Sequence, residues 1–376
     1  MAASVFVLVM LSFAGLASRA GGLRVGLKRI HSHNPRAPEL GRKLASLDET
    51  LTAFSRKDLR DGAEYVMTLS IGTPPTAYVA IIDTGSNTIV AQCAPCSSSS
   101  TSCTDPLYDP SSSSTFVDLP CNSSLRLDAC AAAAGGSPGC PQCTFKQTYT
   151  TGWAFVSMGV ETFTFDQQAS VPGVAFGCIT DSSGGWGGSS GLVGMGRGNL
   201  SLVSQLGARK FSYCLTPFQD ANSTSTLLIG PSATIDDDGT GGVVQSTPFV
   251  RNPPGYPSFY YLNLTGISMG TTALSIPANA FDLNPDDGTG GLIIDSGLTI
   301  TSLVDVAYQQ VRAEVLSLVA LPPSSSHRTE MDLCFDLSSP SAPPAMPDMT
   351  FHFDGGATWC CRRTTTCSYM SPGSGA

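Results

Sequence analysis

Two short phrases carry the chemistry of this 376-residue chain: Ile81-Ile82-Asp83-Thr84-Gly85 and Ile293-Ile294-Asp295-Ser296-Gly297, 212 residues apart. Each sets an aspartate behind an apolar β-type pair, then a small hydroxyl residue, then glycine. An aspartate so placed sits in a tight loop whose hydroxyl and backbone N–H groups can fix the carboxylate. A lone Asp-x-Gly is ordinarily a turn, but two copies with matched leads point to a working pair, Asp83 and Asp295, supported by Thr84, Gly85, Ser296 and Gly297. Like charges a few ångström apart cannot both ionise, so such a pair shares a proton. One carboxylate then activates water while the other carboxyl protonates a carbonyl oxygen. That chemistry suits peptide hydrolysis in acid, with no metal and no organic cofactor.

The elements that must position these loops are mostly β. From Glu64 onward short apolar runs are split by Gly, Pro and Ser: Tyr65 to Ile71, Ala77 to Ile82, Thr88 to Ala91, Thr162 to Phe165 and Val174 to Phe176. Apolar spacing predicts one clear helix, Val304 to Leu318, and a weaker one, Leu200 to Leu206. Low-complexity stretches such as Ser97 to Ser102 and Ala131 to Ala134 read as surface insertions tied by cysteines. The loop-rich zone Asp236 to Gly242 is the expected lobe boundary, leaving one Asp phrase to each lobe. The division expected is a signal peptide at 1–20, a basic pro-segment at 21–62, an N-terminal catalytic lobe at 63–240, a partial C-terminal lobe at 241–358 and an aberrant tail at 359–376.

The apolar run Val5 to Leu16, followed by Ala17, Ser18 and Ala20, has the length and cleavage pattern of a secretory signal rather than a membrane span. Behind it, Gly21 to Asp61 holds nearly half of the chain's 20 Lys and Arg, the composition of a pro-segment that neutralises an acidic mature protein. The net charge of −9 becomes more negative without that leader, which argues against nucleic acid. Thirteen cysteines in such a chain indicate an oxidising compartment. The disulfide candidates are Cys93, Cys96, Cys103, Cys121, Cys130, Cys140, Cys143, Cys178, Cys214 and Cys334, with the pairing open. Four sequons, at Asn122, Asn199, Asn222 and Asn263, agree with passage through the secretory pathway, and the expected product is a secreted or vacuolar monomer.

Together these residues resemble the pepsin-like aspartic proteases, and within them the plant nepenthesin-like branch. The likeness runs through Ile71-Gly72-Thr73-Pro74-Pro75, Asp83 to Cys96, Phe176-Gly177-Cys178, Gly191 to Gly198, Phe211-Ser212-Tyr213-Cys214, Phe259-Tyr260-Tyr261-Leu262, Ile293 to Leu303 and Met331 to Phe335. The resemblance implies a bilobal β fold with the active-site cleft between the lobes and protein or peptide as substrate. It implies that Asp83 and Asp295 hold the attacking water, that Thr84 and Ser296 brace the loops, and that Ser86 hydrogen-bonds Asp83. It also implies a hairpin flap with Tyr149 as its tyrosine.

The chain departs from that pattern near the site. Leu298 stands where the family has a hydroxyl residue, Thr88-Ile89-Val90-Ala91 lacks the usual tryptophan, and the family's closing strands have no counterpart after Gly356, so the second lobe reads as incomplete. These departures keep a second function in view, a catalytically impaired relative that binds a protein or glycan, as plant xylanase inhibitors use the fold. Other constellations are weaker. Gly135-Gly136-Ser137-Pro138-Gly139 mimics a nucleophile elbow, but Pro138 has no N–H for an oxyanion hole. Cys93-x-x-Cys96 and Cys140-x-x-Cys143 lie too far apart for a zinc ribbon, and the glycines from Gly184 to Gly198 lack a full phosphate-loop signature.

Overall fold

A computed structural model describes residues 23–29, 65–96, 107–119, 123–125, 144–149, 152–165, 169–183, 189–215, 225–233, 244–298, 301–323, 333–335, 346–361 and 370–372. The expected signal peptide, the lobe boundary Asp236 to Gly242 and most of the cysteine-rich insertion lie outside these residues.

Among the described residues, eleven strands form one sheet in the first half of the chain. Thr76–Asp83, the strand that ends on the first aspartate, lies at its centre. It pairs antiparallel with Tyr65–Ile71 on one side and parallel with Gly191–Gly194 on the other, placing Asp83 opposite Gly194. A strand with neighbours on both sides and packing on both faces must be apolar nearly throughout. Accordingly Tyr78, Ala80, Ile81 and Ile82 are all buried. Two long strands, Gly152–Phe165 and Ala169–Ser183, fold back on each other, and Thr144–Tyr149 forms a hairpin with the start of the first of them. One core holds Met67, Ile71, Ile82, Phe163, Phe176 and Phe211; a second, on the other side of the sheet, gathers Ile81, Val90, Val156 and Leu192.

The second half is built on smaller sheets. Tyr260–Leu262 pairs with Leu292–Ile294, the strand that delivers Asp295. Leu264–Met269 pairs with Met349–Phe353, which pairs in turn with Thr358–Cys361. The predicted long helix is present as Asp305–Leu318 and buries Ala307, Tyr308 and Val311 against Leu303, Phe351 and Phe353. The weaker candidate shortens to Leu202–Gln205, capped by Ser201, whose hydroxyl accepts from Ser204 N. Both halves are mostly β.

Segments near both ends of the chain are built into sheets. Within the expected pro-segment, Leu23–Arg29 forms a strand inside the main sheet, between Ser225–Ile229 and Tyr65–Ile71. A Leu-Arg-Val-Gly-Leu alternation is strand-like even in a basic region. The tail does not leave the core at residue 359: Trp359 stacks on Phe351 with ring centroids 5.2 Å apart, and Cys361 is buried and disulfide-bonded. Further on, Met370–Pro372 pairs in parallel with Thr301–Leu303. An aromatic partner on the adjacent strand outweighs the polar composition of the segment.

Candidate active site

The two Asp phrases come together as matched loops that make the same bonds reciprocally. In each, the glycine two residues on donates its backbone N–H to the aspartate: Gly85 N to Asp83 Oδ1 and Gly297 N to Asp295 Oδ1, both at 2.8 Å. The hydroxyl residues between them lace one loop to the other. Ser296 N donates to Thr84 Oγ1 at 2.9 Å, and Thr84 N donates to Ser296 Oγ at 3.2 Å. Each hydroxyl then donates onward to the strand carrying the opposite aspartate, Ser296 Oγ to Ile82 O and Thr84 Oγ1 to Ile294 O. Thr84 and Ser296 therefore brace both loops.

The glycines are required by close approach across the pair. A Cβ on Gly85 would lie 2.2 Å from Asp295 Oδ2, and one on Gly297 would lie 2.4 Å from Asp83 Oδ1. Asp83 is 6% exposed and Asp295 is half-buried. Burial raises the Asp295 pKa well above the ordinary carboxylate range, and the neighbouring negative charge of Asp83 raises it further; the N–H groups of Gly297 and Gly85 only partly offset this. A proton is thus retained at the pair into conditions where isolated carboxylates have lost theirs.

Tyr149 ends the Thr144–Tyr149 strand, opposite Gly152 at the hairpin tip. Burial, and then the charge of Asp83, hold its phenol far above its usual pKa, so it faces the dyad as a neutral group. Tyr213, buried in the core of the main sheet, likewise has its phenol pKa raised, by burial and then by the charge of Asp295. No spacing in the sequence announced Tyr213, whose strand lies in the main sheet.

Ser86 is a correction. Its carbonyl accepts from Gly196 N at 2.8 Å, which fixes the loop, but its Oγ is buried and makes no hydrogen bond to Asp83. The matching position after Asp295 is Leu298, apolar and 43% exposed. Neither aspartate has a side-chain hydroxyl of its own loop bonded to it among the described residues.

The other candidates divide. Cys93 is bonded to Cys178, 85 residues away, and Cys96 is also in a disulfide, so the Cys-x-x-Cys does not close on itself. Cys214 lies opposite Thr226 across its strand pair, and Cys334 adjoins the Pro323–Phe335 bridge. Cys361, which the sequence reading passed over, is bonded. Cys103, Cys121, Cys130, Cys140, Cys143, Asn122 and Asn222 lie outside the described residues. Asn199 is exposed, and Asn263 donates to Asp354 Oδ2 at 2.8 Å. No helix among the described residues is long and apolar enough to cross a membrane.

Comparison with known proteins agrees with this geometry. A family model described as "Xylanase inhibitor N-terminal" matches residues 65–231, and one described as "Xylanase inhibitor C-terminal" matches residues 259–374. Aspartic proteinase nepenthesin-1 of Nepenthes gracilis is 44% identical over 297 residues, covering 78% of this chain and 65% of that protein. Aspartic proteinase nepenthesin-2 of the same plant is 37% identical over 350 residues, covering 89% and 77%. Among solved structures, basic 7S globulin from soybean superposes with a TM-score of 0.62 at 17% identity, over 94% of this chain and 85% of that one. The aspartic proteinase from Irpex lacteus superposes with a TM-score of 0.52 at 14% identity, over 90% and 78%.

Proposed function

This chain belongs to the pepsin-like aspartic protease family, and from that premise we propose that it is an endopeptidase that hydrolyses peptide bonds in proteins at acidic pH. The observation that carries the reading is the pair of loops in which Asp83 and Asp295 are held face to face by the reciprocal bonds of Thr84 and Ser296. In this reading the pair shares one proton. The ionised carboxylate takes a proton from a water molecule that attacks the scissile carbonyl carbon, while the protonated carboxyl gives its own to the carbonyl oxygen. Collapse of the tetrahedral intermediate returns a proton to the departing amine and restores the pair. Tyr149, on its hairpin, closes over the extended peptide. The polypeptide is made as a secreted or vacuolar zymogen, glycosylated on sequons such as Asn199, and works as a monomer.

The test is cleavage of a denatured protein by the secreted product near pH 3–5, in the range where a shared carboxylate proton is retained. Activity should be blocked by pepstatin and should fall by ~10³-fold or more in Asp83→Asn and in Asp295→Asn. Inhibitor-insensitive cleavage that survives both substitutions overturns the reading.

Leu298 favours a second function. With an exposed apolar side chain where a hydroxyl would support Asp295, and with both halves matching models described for xylanase inhibitors, the chain could serve as a binder of a protein or glycan partner. A stable secreted product without acid protease activity, yet inhibiting a xylanase, would establish that version.

A further inference from the structure

The Gly194-Met195-Gly196-Arg197-Gly198 run has none of the features of a phosphate site, and its alternating glycines need another explanation. They surround one residue, Asn87. A Cβ on Gly198 would lie 2.2 Å from Asn87 Nδ2, one on Gly196 would lie 2.6 Å from Asn87 Oδ1, and one on Gly194 would lie 2.3 Å from the Asn87 carbonyl carbon. Any larger residue at these positions would expel Asn87 from its seat.

Seated there, the half-buried Asn87 uses both ends of its amide. Its Oδ1 accepts from Gly198 N at 2.8 Å, and its Nδ2 donates to Ser258 Oγ at 2.5 Å, across to the second half of the chain. Backbone bonds run in parallel with these: Met195 N donates to Asp83 O, Gly196 N to Ser86 O and Arg197 N to Ser258 O. Two residues beyond Ser258, Tyr260 donates its hydroxyl to Met195 O at 2.6 Å and pairs in register with Ile294, the residue before Asp295. A continuous path of hydrogen bonds therefore joins the loop of Asp83 to the strand of Asp295, separate from the direct lacing by Thr84 and Ser296.

We propose that Asn87, with Ser258 as its partner, is a positioning residue that sets the separation of the two aspartates. The proposal rests on the endopeptidase reading for its kinetic consequence, but not for its structural one. The two aspartates are carried by strands with largely separate cores, and a small displacement of reacting groups is costly to rate. The amide of Asn87 suits this task because it donates and accepts at fixed angles without adding a charge beside the carboxylates.

The test compares Ser258→Ala, Ser258→Thr and Asn87→Ala with the wild type in two measurements. One is the pH titration of the aspartate carboxyls by carbon NMR with labelled aspartate. The phenols that feel the charge of the pair among the described residues, Tyr149 and Tyr213, are both kept neutral by burial, so the upper dyad titration reports chiefly on burial and on the spacing of the two carboxylates. If the bracket sets that spacing, Ser258→Ala and Asn87→Ala lower the upper pKa by ~0.5 unit or more as repulsion between the carboxylates weakens. Ser258→Thr, which keeps the hydroxyl, titrates as wild type. The second measurement is steady-state cleavage, where kcat falls ~10- to 100-fold with KM little changed.

Wild-type titration in both alanine variants overturns the proposal, even if they melt at lower temperature. If Asn87→Ala fails to fold, Ser258→Ala decides alone, since it removes only the link between the halves. A wild type without protease activity sinks the endopeptidase reading and leaves the titration to settle the role of Asn87.

Discussion

At the scale of single residues, the site is asymmetric in the groups that flank its aspartates. Ser86 keeps a buried hydroxyl near Asp83, while Leu298 offers nothing polar to Asp295. A hydroxyl that donates to an ionised carboxylate stabilises the charged form and lowers its pKa. Leu298→Thr should therefore move the alkaline limb of the kcat/KM profile downward by ~0.5–1 unit. An unchanged limb would show that the side chain at 298 points away from the pair. Elsewhere Glu161, only 1% exposed, is a buried carboxylate with no mechanistic task. Burial pushes its pKa up, but donation from Ser113, Thr115, Tyr108 and the N–H of Thr162 outweighs this, and the net shift is downward. Glu161→Gln leaves at least one of these donors facing an NH2 group, and should cost ~1–3 kcal/mol in denaturant unfolding.

At the scale of elements, the parts of the fold that were legible in the sequence are those whose cause is local. The Asp-hydroxyl-Gly loops follow from three adjacent residues and two apolar leads, and the Asp305–Leu318 helix follows from its own spacing. What could not be read depended on a distant partner. The Cys93–Cys178 bond spans 85 residues, Ser86 is fixed by Gly196 rather than by its own aspartate, and Trp359 folds because Phe351 lies on the adjacent strand. The glycine run was visible but mute, because the side chain it encloses lies more than 100 residues earlier. Two outcomes follow at this scale. Trp359→Ala should destabilise the second half by ~2–4 kcal/mol, read as a lower denaturation midpoint, since it removes the stacked partner of Phe351. Replacing Cys93 and Cys178 together by Ser should cost ~2–4 kcal/mol, because the bond closes a long loop.

At the scale of the whole molecule, joining two halves through a pair of carboxylates makes stability depend on pH. Asp295 has a folded-state pKa above its unfolded value. Its contribution is fully present below the unfolded pKa, near 4, and is lost as pH rises through the raised folded value. Glu161 has the opposite sign: its contribution is present above the unfolded pKa and is lost only as pH falls through its lowered one. Between these limits the molecule is suited to mild acid. Thermal unfolding should show Tm declining from about pH 4 toward neutrality, with a flatter decline in Asp295→Asn. An equal slope in the variant would place the pH dependence elsewhere.

Gly85 lies against the carboxylate of Asp295, and Gly297 against that of Asp83. Each loop is thus the mould in which the other is cast. A side chain added at either glycine would collide with the carboxylate of the opposite loop, so neither loop can be altered there without an answering change in the other. A chimera that took its halves from two diverged parents would need both loops from the same parent, however well each half folded by itself.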